Sequence, residues 1–198
     1  IAQSEAFTGK KPMVKYWLHN GFITINSEKM SKSLNNFFLV KDVLEHYSPD
    51  ALRFFLISNH YRSPLDFSDE RLEEMTRSLE RLGTAIDNVL ELLAMPAGAK
   101  SPEAQQLLET AHKDEEAFEN AMCDDFNTAL ASAAMFDLAK NVNIFKNAVV
   151  NNGVPVDSAA LSEVKRVFKT FTDILGILED RWTGKKEDAS SKDYDDLM

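Results

Sequence analysis

Lys29-Met30-Ser31-Lys32-Ser33 is the stretch from which the rest of the sequence can be interpreted. Its two lysines stand three positions apart, with serines between and after them, directly after a short apolar run. The glycine-rich loop of the Walker type does not accompany them. Lysine ammonium groups, serine hydroxyls and backbone N–H groups together bind phosphate oxygens, so this composition suits a loop that closes over a polyphosphate. A solvated basic loop is the alternative for any bare pair of lysines at this spacing.

The composition is that of a globular chain of one or two domains. The sequence has 198 residues, 44% of them hydrophobic, without an apolar run long enough to span a bilayer and without a signal-peptide pattern. Cys123 is the only cysteine, which excludes an internal disulfide framework and favours a structural role in a reducing compartment. We therefore expect a soluble, cytoplasmic protein that has no membrane partner.

Charge is distributed unevenly along the chain. The formal net charge is −10, yet residues 1–62 carry eight Lys and Arg against five Asp and Glu. Residues 63–198 carry fourteen against twenty-seven. Contacts with nucleic acid are therefore expected from the first third of the chain and from isolated basic patches, and DNA is not an expected partner.

The five-residue string resembles the KMSKS signature of the class I aminoacyl-tRNA synthetases. In that family the loop follows the last strand of a Rossmann-type catalytic domain and closes on ATP during amino-acid activation. Asn35 stands where the family commonly has glycine, and asparagine tolerates a left-handed backbone, so the turn is expected to survive. Downstream, Asp50-Ala51-Leu52-Arg53 resembles a tetrapeptide that several of these enzymes share.

Local patterns predict the elements around the loop. A helix over Ile1–Thr8 should end at Gly9, and Val14–Leu18 and Phe22–Ile25 have strand composition. Helical spacing is expected over Val40–Tyr47. Ser48 and Pro49 then suit the N-cap and first position of a helix that runs through Ile57.

Four longer helical segments follow. The first is capped by Ser68 and runs to Leu93, and the second begins at Ser101-Pro102 and runs to Phe118. The third opens at Asp124–Thr128, with inward positions that include Leu130, and ends at Asn151–Gly153. The fourth covers Asp157–Leu178, with Ile174 among its inward positions. For the adjacent Asp124 and Asp125, helix capping is the favoured role and a metal site the alternative.

The segment from Asn59 to Ser68 is irregular, aromatic and partly basic. Arg62 could contact an RNA phosphate, and Tyr61 or His60 could pack against a ribose. Equally, the aromatic rings could pack on the helical bundle while Arg62 pairs with an acid such as Asp66.

Within class I, the sequence is most similar to the cysteinyl enzymes. The stretches that carry this resemblance are Tyr16–Gly21, His60–Ser68 and Asp124–Thr128, the last followed by Phe136-Asp137-Leu138-Ala139 and Asn143. The resemblance implies activation of cysteine by ATP with Mg²⁺, and transfer to tRNA(Cys). It assigns Lys29 and Lys32 to catalysis, and it assigns ATP binding to Lys29, Met30, Ser31, Lys32 and Ser33.

The resemblance also implies parts that this sequence does not contain. The family uses a His-x-Gly-His-like motif for ATP and four zinc ligands that select the cysteine thiol, which suits the preference of zinc for thiolate. We therefore predict no metal site in this chain, Zn²⁺ in the full-length enzyme, and no activity of the chain alone.

The predicted fold is mainly α, a helical bundle that follows a short β/α remnant of the Rossmann-type domain. Residues 1–36 would be the end of the catalytic domain, 37–67 a tRNA-corner element, 68–182 the bundle, and 183–198 a linker towards an anticodon-binding region. The alternatives are a methionyl-tRNA synthetase and a paralogue that ligates cysteine to an amino sugar. A non-catalytic helical interaction module is the remote alternative.

Overall fold

The structure of the protein, a computed structural model, describes residues 1–25, 28–30 and 39–184. It is mainly α, as predicted. In chain order its helices and strands are α1 (Ala2–Thr8), β1 (Ile23–Ile25), β2 (Glu28–Lys29), α2 (Val40–Leu44), α3 (Pro49–Ile57), β3 (Leu65–Phe67), α4 (Asp69–Ala94), α5 (Pro102–Cys123), α6 (Thr128–Asn152), α7 (Ser158–Leu175) and α8 (Glu179–Thr183).

A small three-stranded sheet forms near the signature loop. Strand β1 pairs antiparallel with β2 and parallel with β3, so that Ile23 lies opposite Leu65. The prediction of a strand at Val14–Leu18 is wrong, because these side chains are exposed and the segment pairs with no other described strand. Strand β3 was not predicted, since three residues are too short for the alternation of apolar and polar side chains to show.

Most helix boundaries follow the predicted capping chemistry. The side chains of Ser48, Ser68 and Ser101 each accept a hydrogen bond from a backbone N–H three residues later, which satisfies one of the free donors of the first turn. Gly9 and Gly153 end α1 and α6 in the left-handed conformation. Two helices are shorter than predicted, since α2 ends at Leu44 and α7 at Leu175.

Helices α4 to α7 form the bundle, with one large hydrophobic core between them. Helix α5 reaches Cys123, five residues beyond the predicted end, and it buries Leu107, Ala111 and Phe118 despite its polar composition. The Phe118 ring stacks on that of Phe171, with 4.3 Å between the ring centroids. Because such aromatic pairs bury large apolar areas, α5 is held by packing more than by helix propensity.

Two residues predicted to face the core do not. Leu130 is 56% exposed and Ile174 is exposed to a similar extent. Leu130 lies in the first turn of α6, where the chain has just left an irregular turn. Ile174 lies at the edge of the buried stripe of α7, which runs through Val164, Phe168 and Leu175.

A second, smaller core lies beside the sheet, and α3 stands between the two cores. Val43, Phe55, Leu65, Phe67 and Leu72 make up the small core. Phe54 of the same helix belongs to the large core, where its ring meets the edge of Phe136. Adjacent residues of α3 thus join the sheet to the bundle. Among the described helices, none is both long and apolar enough to cross a membrane.

Candidate ATP-loop and tRNA-contact sites

The signature loop begins at the edge of the sheet. Lys29 is the last residue of β2, and the Met30 N–H donates to the carbonyl oxygen of Ile23 at 3.5 Å. Ser31, Lys32, Ser33 and the side chain of Lys29 lie outside the described residues, and so does Asn35. The structure therefore fixes where the loop starts, while the roles assigned to its side chains stay predictions.

The segment Asn59–Pro64 is attached to the strand that leads into this loop. The Gly21 N–H donates to the Tyr61 carbonyl at 2.7 Å, and the Leu65 N–H donates to the Phe22 carbonyl at 2.9 Å. A Cβ atom on Gly21 would lie 2.3 Å from the Ser63 carbonyl oxygen. Glycine is needed here because two backbones approach closely. The glycine of Asn20-Gly21 therefore allows the contact with the Ser63 backbone.

His60, Tyr61 and Arg62 converge on one carboxylate, that of Asp125 between α5 and α6. The Tyr61 hydroxyl donates to Asp125 Oδ1 at 2.8 Å. Arg62 donates from Nη2 to the same oxygen at 3.2 Å and lies with Nε 2.9 Å from Oδ2. His60 Nε2 is 3.7 Å from Oδ2. The three residues predicted to contact tRNA thus form a cluster against the bundle.

The structure shows part of one alternative for the Asn59–Ser68 segment, the pairing of Arg62 with an acid, and the RNA contact stays a prediction. The His60 and Tyr61 rings stack at 5.0 Å, and the Arg62 guanidinium lies over the Tyr61 ring at 5.5 Å. Arg62 is paired with an acid, but the acid is Asp125 and not Asp66. The Asp66 carboxylate instead accepts from the Thr24 hydroxyl at 2.7 Å, across the β1–β3 pair.

Hydrogen bonding keeps Arg62 charged and orients the His60 ring. The Tyr61 hydroxyl, followed by the Asp125 carboxylate, raises the pKa of Arg62 above its ordinary value, so the guanidinium stays charged. The Arg62 N–H donates to His60 Nδ1 at 3.3 Å. Because Nδ1 accepts, these contacts assign the proton of the neutral imidazole to Nε2, which faces Asp125.

The turn that presents Asp125 has an unusual backbone. Asp125 and Phe126 both have positive φ, 56° and 54°, a region that non-glycine residues rarely adopt. Asn127 caps α6 by accepting from the Leu130 N–H at 3.1 Å. The prediction that Asp124 and Asp125 cap this helix is wrong, because the Asn127 amide oxygen performs the capping and Asp125 belongs to the cluster.

The Asp50-Ala51-Leu52-Arg53 motif contacts the far end of the bundle. Asp50 Oδ2 accepts from the Leu178 N–H at 2.7 Å, across 128 positions of sequence. Burial raises the pKa of Asp50, and the Leu178 hydrogen bond offsets part of that increase. Arg53 packs over Gly176, where an added Cβ would lie 3.2 Å from Nη1. No sequence pattern pointed to this partner, because Asp50 and Leu178 are far apart in the chain.

A second charged cluster joins α5 to α7, where Arg166 contacts both Glu115 and Glu163 at 2.8–2.9 Å. On α4, Arg77 lies 3.6 Å from Glu73, whereas Arg81 lies over the Phe136 ring. Within residues 1–25, 28–30 and 39–184, no three His, Cys, Asp or Glu side chains are arranged to hold a metal ion. Burial, together with the nearby Asp137, raises the pKa of Asp114 in the α5–α6 groove to about 6.

Two family models match the chain. One is described as the class I (C) catalytic domain of tRNA synthetases and matches residues 1–77. The other, the DALR domain, matches residues 117–179. The first covers the sheet, the signature loop and α3, and the second covers the Asp125 turn, α6 and α7.

Curated relatives extend this similarity over nearly the whole chain. A cysteine–tRNA ligase of Desulforamulus reducens is 49% identical over 189 residues, which cover 93% of this chain and 38% of the relative. One of Heliobacterium modesticaldum is 43% identical over 202 residues, covering 100% of this chain and 41% of the relative. The chain thus spans about two fifths of the length of these relatives.

A solved structure shares the fold. The LeuRS of Agrobacterium radiobacter K84, crystallised in a ternary complex with tRNA and LeuAMS, superposes with a TM-score of 0.63 at 20% identity. The match covers 87% of this chain and 22% of that chain. The chain is therefore homologous, along nearly its whole length, to a segment of the cysteine–tRNA ligases, a family of class I aminoacyl-tRNA synthetases.

Proposed function

We propose that this chain is the part of a cysteine–tRNA ligase that supplies the ATP-closing loop and helices that contact tRNA(Cys). The observation that carries the proposal is identity of 43–49% to proteins named cysteine–tRNA ligase over 89–100% of the chain. The whole enzyme would activate cysteine with ATP and transfer it to its tRNA. Methionyl and amino-sugar ligases are not favoured, since the relatives at this identity carry the cysteine name.

In this proposal Lys32 and Lys29 stabilise the triphosphate during activation, with Met30, Ser31 and Ser33 as the ATP-binding neighbours. The cysteine carboxylate attacks the α-phosphorus, the bond to the bridging oxygen breaks, and pyrophosphate leaves with the charge that develops. A lysine ammonium placed against those oxygens acts most strongly in the transition state. Mg²⁺ would accompany the nucleotide. The terminal adenosine of the tRNA would then attack the carbonyl carbon, and AMP would leave.

The proposed division of the chain keeps the bounds that the sequence predicts. Residues 1–36 would belong to the catalytic domain, 37–67 to the tRNA-corner element, 68–182 to the bundle, and 183–198 to the linker. The small core at the sheet and the large core in the bundle support a division near α3, which contributes to both. In the same proposal, residues 60–62 form the tRNA contact, and the enzyme acts in the cytoplasm.

Zinc is not assigned to this chain. In this proposal the cysteine-selecting zinc would be held by other parts of the enzyme. The chain alone is accordingly expected to show no ATP–pyrophosphate exchange with cysteine.

A chimera tests the proposal. The matching segment of the Desulforamulus reducens cysteine–tRNA ligase would be replaced by this chain, and cysteinylation of tRNA(Cys) measured. We expect aminoacylation by the chimera, and much slower aminoacylation by its Lys32→Ala variant. A folded chimera without cysteinylation would contradict the proposed function. A further test addresses the interaction-module alternative, which predicts that the chain shows no salt-dependent binding to tRNA.

A further inference from the structure

Arg62, the basic side chain proposed to contact RNA, is already paired with the carboxylate of Asp125. Two nitrogens of Arg62 face the two oxygens of Asp125, at 2.9 and 3.2 Å. Both side chains are solvent-accessible, 63% for Arg62 and 39% for Asp125. A phosphate that approaches this surface therefore meets a pair without net charge, and Asp124 stands next to it in the chain.

We propose that the Arg62–Asp125 pair is an exchange site for an RNA phosphodiester, in which Asp125 competes with the RNA for the Arg62 guanidinium. The inference rests on the proposed function, because it takes tRNA as the ligand. A guanidinium binds carboxylate and phosphate through the same fork of N–H donors. Even a phosphate bound to another edge of the guanidinium lies close enough to the carboxylate to be repelled.

The cluster can release Arg62 without unfolding. The left-handed turn at Asp125 and Phe126 is held by backbone hydrogen bonds from Phe126 to Met122, from Asn127 to Ala121 and from Thr128 to Phe126, at 2.8–3.2 Å. Strained backbone of this kind persists where the surroundings determine it, and none of these bonds involves Arg62.

The other side of the pair is held independently as well. The Tyr61 carbonyl accepts from the Gly21 N–H, so the loop backbone stays on the sheet when the Arg62 side chain moves. The Tyr61 hydroxyl also donates to Asp125, which keeps the carboxylate satisfied after Arg62 leaves. Exchange therefore requires rotation of the exposed Arg62 side chain, which also breaks its hydrogen bond from Nε to the Tyr61 hydroxyl at 3.0 Å.

Aromatic groups around the pair favour RNA over a simple anion. The stacked rings of His60 and Tyr61 lie beside the guanidinium, and the Phe126 ring, next in sequence to Asp125, is 54% exposed. Exposed aromatic rings beside a phosphate contact suit riboses and unstacked bases. The site thus combines a phosphate-binding cation with stacking surfaces, and an acid limits its affinity.

The test is the sign of the change in affinity when Asp125 loses its charge. Binding of a tRNA(Cys) transcript to the full chain would be measured by fluorescence anisotropy at 50 and 300 mM KCl. Asp125→Asn, nearly isosteric, is expected to tighten binding about three- to tenfold at 50 mM, with a smaller gain at 300 mM because salt screens the charge. Arg62→Gln is expected to weaken binding, and the gain from Asp125→Asn should shrink in the double variant.

Glu115→Gln is the matched control. Glu115 also forms a two-point pair with an arginine, Arg166, at 2.8–2.9 Å, and its loss changes the net charge equally. Glu115 lies on α5, nine positions before Asp124, the residue that ends this helix. This separation is about 14 Å along the helix axis. Asp125→Gly serves as a second variant, because glycine accepts the positive φ without strain.

Each outcome bears on the inference. A loss of affinity in Asp125→Asn and Asp125→Gly, or a gain equal to that of Glu115→Gln, would overturn the exchange site while leaving the proposed tRNA contact in place. Absence of salt-dependent binding by the unaltered chain would overturn both the exchange site and the proposed function. A gain in tRNA affinity that is confined to the Asp125 variants and depends on Arg62 would establish the exchange site.

Discussion

The first 25 residues and the bundle differ in the solvent exposure of their apolar side chains. Phe7 is 92% exposed, and Tyr16 and Phe22 are largely exposed as well, whereas Leu82, Phe168 and Phe171 of the bundle are fully buried. Long helices with one apolar face close a core among themselves. Short segments cannot do so, and their apolar side chains stay exposed. Stability is thus expected to reside in the bundle, and the proposed chemistry near the sheet.

The largest expected effect concerns chemistry on the sheet side. In the chimeric ligase, Lys32→Ala is expected to slow adenylate formation a hundred- to thousandfold, about 3–4 kcal/mol, since a donor to the developing pyrophosphate charge is lost. The affinity for cysteine should stay nearly unchanged. Pre-steady-state adenylate formation measures both the activation rate and the affinity for cysteine. Lys29→Ala is measured for comparison and is expected to have a milder effect. A normal activation rate with lost cysteine affinity would refute the role assigned to Lys32.

The next effect tests where the stability lies. Phe118→Ala is expected to lower the free energy of unfolding by about 3–5 kcal/mol, because it leaves a cavity against Phe171 in the large core. Phe7→Ala removes the same atoms from an exposed ring and should change the free energy of unfolding by less than about 0.5 kcal/mol. Urea denaturation followed by circular dichroism compares them. Equal effects would break the contrast between the two regions.

A third change acts where the two regions join. Gly21→Ala places a methyl group against the Ser63 carbonyl, so the backbones must separate and the β1–β3 pairing should weaken. We expect at least tenfold faster amide hydrogen exchange at Leu65, with little change in the exchange of bundle amides. Gly153→Ala is the control, since it meets no atom within 4 Å and affects only its own left-handed turn. Unchanged exchange at Leu65 would show that the close approach is not needed.

The smallest effect is a pH dependence within the bundle. Because the folded pKa of Asp114 is raised to about 6 from an ordinary value of 3.8, the folded state binds the proton more tightly than the unfolded state. Its contribution to stability is therefore fully present below about pH 4 and is lost as the pH rises to about 6. After allowance for solvent screening, Asp114→Asn should stabilise the chain at pH 7 by about 1 kcal/mol.

Urea titrations at pH 4.5 and 7 separate this effect from net charge. The exposed Glu119, five positions away on the same helix, is the comparison, since Glu119→Gln changes the charge equally. The gain from Asp114→Asn should be larger at pH 7 than at pH 4.5. A gain of the same size in both variants would assign it to overall charge.

What could be predicted from the sequence depended on the range of the interactions. The serine caps at Ser48, Ser68 and Ser101 and the glycine ends of α1 and α6 involve neighbours within a few positions, so their patterns sufficed. The signature loop and its family were recognisable as literal strings. Residues 60–62 were singled out by residue type alone.

The contacts that were missed join distant parts of the chain. Arg62 meets Asp125 across 63 positions, and a local search offered the nearby Asp66 instead. The apolar run at Val14–Leu18 resembled a strand, yet a strand requires a partner with free hydrogen-bonding groups. Strand β3 exists because β1 supplies that partner. The composition of a segment indicates its preferred secondary structure. It does not reveal which other segment will pair with it.

The hydrogen bond from Leu178 to Asp50 has a consequence for the order of events during synthesis. At about 5–20 residues per second, a ribosome needs about 6–25 s to add the 128 positions that separate the two residues. Until then the carboxylate of α3 lacks this partner, while α4, α5 and α6 emerge and can begin to pack. The hydrogen bond that joins α3 to the far end of the bundle can thus form only after nearly all of the bundle has been translated.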